Sequence, residues 1–383
     1  MADRAYILTR DEALWEITKA ERGQRVPMLD LADLRSTNLS GTDLSGGNIR
    51  EADLSDADLS GAYLCGAYLR KANLSGANLS GANLSKAIMI GVNLVGANLR
   101  GANLRSTDLR GTDLGGVNLN GANLKRAYLI EANLIGVNLS RADLSRADLS
   151  GANLTNANLS FVDLDGANLS RAVLNGADLS GANLYGANLS GVVAKKAYFN
   201  RANMNRVNLS GANLSGARLD EAYLCEANLR SINLVNANLH FANLSRAILI
   251  RAYLFKASLS GTDFTKANLS NATLVEADLV GADLSRANLS NTNLRNANLN
   301  EAYLQNTNFT GAKLEGTQLL NAILTSASFA GADLRGVQAT PIDFAEVDIA
   351  SLNTIIVDAP TAQRLGFSIM TVVPPINKTV QNR

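Results

Sequence analysis

Leucine recurs at every fifth position along most of this chain. The stretch Lys71–Ser85 reads KANLS GANLS GANLS, with leucine at the fourth place of each five-residue phrase. Taking that leucine as the central position, the central positions run from residue 34 to residue 349 without insertion or deletion. They hold Leu, Ile, Met or Phe, apart from Ala194 and Ala339. A repeat this regular predicts the architecture of the whole chain.

A period of five fits neither a continuous helix nor a continuous strand. An α-helix turns about 100° per residue, so the leucines would spread over every face. In a strand, an odd period would send successive leucines to opposite sides. Within one phrase, however, Ala77 and Leu79 share one side of a short extended segment, and Asn78 points away. The Ser-Gly pair that follows is typical of a turn, so the sequence predicts stacked coils with Ala and Leu inside.

The A-(N/D)-L-x-x phrase, as in Ala77-Asn78-Leu79-Ser80-Gly81, resembles the repeats of the pentapeptide repeat family. The resemblance implies an all-β fold, a right-handed quadrilateral parallel β-helix with four phrases per coil and about 16 coils. The period alone leaves other coil sizes open. We expect an N-terminal cap at residues 1–28, the β-helix at residues 29–350, and a C-terminal cap and tail at residues 351–383.

One coil departs from the phrase. Ala194 replaces a central leucine, but Val192, Phe199 and Met204 on the same coil are larger than the usual residues. The lost and gained volumes cancel within one layer, so we expect compensated packing rather than a cavity.

The N-terminal cap is predicted to contain a helix from about Arg10 to Arg22. Thr9 and Glu12 have the spacing of a capping box, and Gly23 is a stop signal. Ile17 and its neighbours Leu14 and Trp15 are expected to pack on the open first coil.

The C-terminal cap is predicted to contain a short helix from Ala359 to Leu365, with Asp358 as its N-cap. An extended segment is expected at Phe367–Val373, and its apolar side chains exceed what a lid needs. The C-terminal cap is therefore a candidate contact for a homodimer.

Charge and chain ends give few clues to function. The net charge is +1, and the sequence pI is near 7.7. No signal peptide and no membrane span is recognised, so the expected location is cytoplasmic. One corner column is basic: Lys86, Arg126, Arg146, Arg206, Arg246, Lys266 and Arg286. Aspartates on the same face balance it and no aromatics are interleaved, which argues against nucleic-acid binding.

The sequence offers no catalytic or cofactor chemistry. His240 is the single histidine, so no histidine relay or histidine metal cluster can form. Stacked aspartates such as Asp143 and Asp163 suggest a cation site, but Arg146 is expected to neutralise them. No corner is longer than two residues, so no loop can build a cleft. We therefore expect no enzyme activity, no cofactor and no metal site.

The outward positions suggest a binding surface instead. Apolar side chains replace polar ones on successive coils, and we call this set the apolar patch: Val235, Ile248, Ile250, Tyr253, Phe255 and Val275. A contiguous patch of this kind often marks an interface. We interpret the chain as a non-catalytic scaffold that binds a protein partner of unknown identity.

The family resemblance also implies an alternative function. Some pentapeptide repeat proteins mimic duplex DNA and bind DNA gyrase or another topoisomerase. Those relatives have strongly acidic surfaces, whereas this chain carries nearly equal numbers of basic and acidic residues. The charge therefore disfavours this alternative.

Overall fold

The computed structural model describes residues 8–23, 25–344, 346–347 and 352–366. The chain forms two compact units, Met1–Asn208 (unit 1) and Leu209–Arg383 (unit 2). The described part of each unit is dominated by a right-handed quadrilateral parallel β-helix, which confirms the predicted fold class.

Each coil contains twenty residues, or four phrases. Most phrases contribute one bridge residue, usually the Asn or Asp before the central leucine, which pairs in parallel with the residue twenty positions later. In unit 1, for example, the Asn73 N–H donates to the Ala52 carbonyl at 2.9 Å, and the Leu54 N–H donates to the Asn73 carbonyl at 2.7 Å. This ladder settles the coil size that the period alone leaves open.

The corners are type II turns. The Ala77 N–H donates to the Leu74 carbonyl at 3.1 Å, and Gly76 between them has a φ of 69°. A type II turn requires a positive φ at its third residue, which glycine adopts without strain. Many corners carry another residue there in the same conformation, such as Arg171 with a φ of 59°.

The axis of each unit is filled by the Ala and Leu columns. Ala152 and Leu154 are typical and are completely buried. Where threonine replaces alanine, its hydroxyl in most cases donates to a carbonyl of the preceding coil, as Thr107 Oγ1 does to the Leu84 carbonyl at 2.9 Å. On the irregular coil the unusual residues are all fully buried: Val192, Ala194, Phe199 and Met204.

The outward asparagines support the corners and connect the coils. Asn78 Oδ1 accepts the Ser80 N–H of its own corner at 3.2 Å. Asn78 Nδ2 donates to Asp58 Oδ1 of the preceding coil at 3.1 Å. An asparagine at this position therefore satisfies both its own turn and the coil below it.

Helix α1, Arg10–Gly23, lies at the start of unit 1, where the sequence predicts a helix. Its capping box is present, since the Thr9 N–H donates to Glu12 Oε2 at 2.9 Å. Ala13, Ile17 and Ala20 are the buried residues of this helix. The expected packing of Trp15 is wrong: its side chain is 62% exposed, and the Lys19 ammonium lies 4.4 Å from its ring centroid.

The C-terminal cap of unit 2 closes the last coil with short elements. A 3₁₀ turn, Pro341–Phe344, follows the last coil, and helix α2, Ala359–Leu365, begins at the N-cap residue Asp358. One carboxylate oxygen of Asp358 accepts the Thr361 N–H at 2.8 Å, and the other accepts the Gly336 N–H at 3.0 Å. Asp358 thus caps the helix and a strand edge together. The predicted extended segment and dimer contact of the tail lie outside the described residues.

Asp358→Ala should therefore lower the free energy of unfolding of this cap by about 1–2 kcal/mol, because the helix N-cap and the Gly336 acceptor are lost together. Hydrogen exchange at the Gly336 and Thr361 amides measures the effect. Asp358→Asn is the intermediate variant, since its single side-chain oxygen can still accept the Thr361 N–H but its amide nitrogen cannot accept the Gly336 N–H; protection should be kept at Thr361 and lost at Gly336. Unchanged amide protection in the alanine variant would contradict this role.

Candidate protein-contact surfaces

The apolar patch lies on two neighbouring faces of unit 2. Ile248 and Ile250 flank buried Leu249, and Tyr253 and Phe255 flank buried Leu254 on the next face of the same coil. The remaining two members, Val235 and Val275, stand one coil before and one coil after Phe255. The fold therefore places all six residues on consecutive coils, with Arg251 at the corner between the two faces.

Most of the patch is only half exposed. Tyr253 is 55% exposed, whereas the other five members are half-buried. The Lys256 ammonium lies 5.1 Å from the centroid of the Phe255 ring and 3.3 Å from Glu276 Oε2. The apolar patch is thus a shallow surface from which Tyr253 projects, with the Lys256–Glu276 ion pair at its edge.

Two aromatic side chains that the sequence interpretation missed are more exposed than any member of the patch. Phe161 in unit 1 is 64% exposed, and Phe241 in unit 2 is 71% exposed. Both occupy the corner position where glycine is the most frequent single residue, and both have a φ of 56°. In the sequence, the signal that could identify these two residues is a phenylalanine at the corner position where glycine is the most frequent residue.

Charged side chains are distributed without a single-sign track. In unit 2, Arg246 of the basic column lies 3.5 Å from Glu226. In unit 1, Arg35 donates to Asp33 at 2.7 Å, and this hydrogen bond lowers the pKa of Asp33 to about 2. Positive and negative groups therefore alternate along the same faces.

The remaining reactive side chains make ordinary structural contacts. His240 Nδ1 is 2.7 Å from Ser260 Oγ on the next coil. Neither Cys65 nor Cys225 forms a disulfide, and Cys65 Sγ lies 3.4 Å from Ser85 Oγ. Within the described ranges, no three His, Cys, Asp or Glu side chains are placed to hold a metal ion.

The described surface has open grooves. One groove of about 390 Å³ in unit 1 runs along the serines Ser150, Ser170 and Ser190, between Glu131 and Arg171. Another, of about 620 Å³, lies against helix α2 of unit 2. Both are open to solvent, unlike the enclosed sites that exclude water around a reaction.

Comparison with known proteins assigns the family. The model of the pentapeptide repeats matches nine overlapping or successive segments between residues 48 and 337, which together cover more than half of the chain. The chain belongs to the pentapeptide repeat family. No curated protein matches it.

Solved structures of other pentapeptide repeat proteins are also similar to this chain. HetL from the cyanobacterium Nostoc sp. strain PCC 7120, involved in heterocyst differentiation regulation, is 28% identical; the match covers 81% of this chain and 96% of HetL, with a TM-score of 0.21. QnrB1, a plasmid-mediated fluoroquinolone resistance protein, is 19% identical; the match covers 48% of this chain and 95% of QnrB1, with a TM-score of 0.42.

Pentapeptide repeat proteins are generally structural or binding proteins rather than enzymes. In the part of the chain that the structure describes, no helix is long and apolar enough to cross a membrane.

Proposed function

We propose that this pentapeptide repeat protein is a non-catalytic module that binds a protein partner on the outer faces of its coils. The observation that carries the proposal is the uniform corner. Through the described coils of each unit, every corner is a two-residue turn, and the grooves between side chains are open. Such a surface presents ordered columns of side chains but does not enclose a substrate.

The apolar patch is the proposed contact surface of unit 2. It replaces Ser, Asn and Arg of the ordinary phrase by Val, Ile and Phe on consecutive coils. Half-buried apolar side chains around a projecting tyrosine resemble the centre of a protein interface, where aromatic residues contribute most of the binding energy. A homodimer through the C-terminal cap stays a separate prediction.

The near-neutral charge gives no support to the topoisomerase-binding alternative. A protein that replaces DNA must reproduce its dense negative charge, whereas this chain has a net charge of +1.

Phe255→Asp should abolish or weaken association with the partner by about tenfold or more, because a hydrated, charged carboxylate would replace the apolar ring in the contact. Affinity capture from an extract of the native cell, quantified by mass spectrometry, measures the loss. Tyr253→Ser is the second variant, since its exposed side chain can be removed with little effect on folding.

Ser245→Asp is the matched control, because Ser245 has the same place in its phrase as Phe255 but lies on the opposite face of the coil. It should capture the same proteins as the unchanged chain. Equal capture by all three variants would remove the apolar patch from the account.

A further inference from the structure

Two corners of the β-helix carry phenylalanine in a strained backbone conformation. Phe161 and Phe241 both have positive φ, a region that bulky residues rarely adopt. Glycine, the residue most frequent at this position, would adopt it freely. Strained residues of this kind persist where the surrounding structure holds them, and they concentrate at functional sites.

Each of the two rings is supported by a glycine on the following coil. A Cβ atom at Gly181 would lie 2.7 Å from the ring of Phe161, and one at Gly261 would lie 2.5 Å from the ring of Phe241. Both distances are too short for any side chain, so only glycine leaves room for the ring. One part of each ring rests on this backbone, while most of the side chain faces solvent. The rings are therefore held in place before any partner arrives, which reduces the entropy cost of binding.

A pair of stacked aspartates lies near each ring along the chain, but in a different register. In unit 1, Asp163 follows Phe161 by two residues and is bridged directly to Asp143 on the preceding coil. In unit 2, the residue two positions after Phe241 is the uncharged Asn243; the bridged pair, Asp263 and Asp283, lies on the next two coils, the first of which carries Gly261 under the ring. Like charges placed opposite one another on adjacent strands are unfavourable. An asparagine in place of one aspartate would instead connect the two coils by a hydrogen bond. Asn183 does this by donating to Asp163 at 2.9 Å.

No Lys or Arg of the described residues forms an ion pair with these aspartates. The expected ion pair with Arg146 is wrong, since no Lys or Arg nitrogen in the described ranges lies within 4.0 Å of these four carboxylates. Arginine at this corner extends over Gly166 of the next coil instead. Each aspartate of these pairs accepts hydrogen bonds only from a backbone N–H of its own turn or from an asparagine side chain. For example, the Ser145 N–H donates to Asp143 at 2.8 Å.

Another corner of unit 1, the one that follows Asp143 along the chain, has an unsatisfied group. Ser145 is 4% exposed, and its hydroxyl is among the few buried side-chain atoms of the described residues without a hydrogen-bond partner. An orphaned buried hydroxyl is a further feature that stability alone does not explain.

We propose that Phe161 and Phe241 each anchor a contact with a protein whose apolar pocket receives the ring and whose Lys or Arg side chain neutralises the adjacent aspartates. The convex corner requires a concave partner surface, and the stacked carboxylates require a basic one. Aromatic anchors surrounded by charged groups of this kind are the usual centres of protein interfaces. The proposal rests on the proposed function of the chain as a protein-binding module.

Substitutions that restore the ordinary phrase provide the test. Phe161→Gly and Phe241→Gly relieve the strained corners, and Asp163→Asn and Asp283→Asn replace one charge of each pair by a ladder-forming amide. Each variant is expected to keep or raise the Tm and to reduce capture of a partner by about tenfold or more. The bait is the full chain, immobilised and exposed to an extract of the native cell.

Two matched variants control for general effects. Arg171→Gly relieves a corner with the same positive φ but removes no aromatic ring. Asp148→Asn removes one charge from an aspartate that is not stacked on another aspartate. Asp148 Oδ1 accepts a hydrogen bond from Asn168 Nδ2 at 3.0 Å. Both should capture the same proteins as the unchanged chain. A photo-crosslinker placed at residue 161 or 241 should react within an apolar pocket that contains Lys or Arg.

The outcomes separate this inference from the proposed function. Capture lost in the phenylalanine and aspartate variants, with Tm kept, supports the inference. Capture kept in those variants but lost in Phe255→Asp overturns it and leaves the proposed function standing. Capture lost together with a fall in Tm makes the phenylalanines structural and also overturns it. If the unchanged chain captures no protein, both proposals fail.

Discussion

Phe309→Ala is expected to lower the free energy of unfolding of unit 2 by about 3–5 kcal/mol. Phe309 occupies a central position, is completely buried, and stacks on Phe329 of the next coil with ring centroids 4.8 Å apart. Truncation removes this contact and leaves a cavity that the ladders above and below prevent from collapsing. Chemical denaturation followed by circular dichroism measures the loss.

Phe241→Ala is the matched control, because the same atoms are removed from an exposed corner that keeps its backbone conformation. Its effect should stay within about 0.5 kcal/mol. Phe309→Leu restores the ordinary phrase and should cost less than about 1.5 kcal/mol. Equal losses at the buried and the exposed phenylalanine would contradict the assignment of the central positions to the core.

Because of the repeat, most of the fold can be predicted from the sequence. The inward positions follow from the alternation of Ala77, Asn78 and Leu79, because each phrase is too short for any other arrangement to bury its apolar atoms. On the irregular coil, Ala194 and Phe199 are both completely buried, as their central positions predict; the compensation of volume within that layer stays a prediction. Only the coil size needed the family resemblance or the ladder of bridges.

The ends and the surface were less predictable, for physical reasons. Trp15 has the spacing of a packing residue, but α1 buries the small side of the helix around Ala13 and Ala20. The face of helix α1 that packs on the first coil depends on the shape of that coil. The sequence of the helix alone does not specify this shape. The apolar patch was recognised by composition, but its half-buried state depends on packing between successive coils.

The exposed phenylalanines show another limit. Phe161 and Phe241 are conspicuous only once the corner is known to have a positive φ, since phenylalanine on a surface needs no explanation by itself. Their support by glycine on the next coil depends on contacts twenty residues apart in sequence. Pattern alone identifies neither the strain nor the support.

A twenty-residue coil determines which side chains of this protein point inward and which point outward. Deleting residues 121–140 from unit 1 removes one complete coil and joins Asn120 to Arg141, which has the same positive φ as the glycine it replaces. Because the stability of a stacked repeat is approximately a sum over neighbouring coils, the shortened chain should fold and unfold cooperatively, with a small change in Tm.

Deleting Gly121 alone should be far more damaging. It removes the residue that closes the turn between Leu119 and Ala122, so the coils before and after it cannot both keep their ladders. Thermal unfolding of the two deletion variants beside the unchanged chain is the most direct measurement. A near-normal Tm is expected for the twenty-residue deletion and a large loss of Tm for the single deletion; the reverse order would rule out the twenty-residue coil.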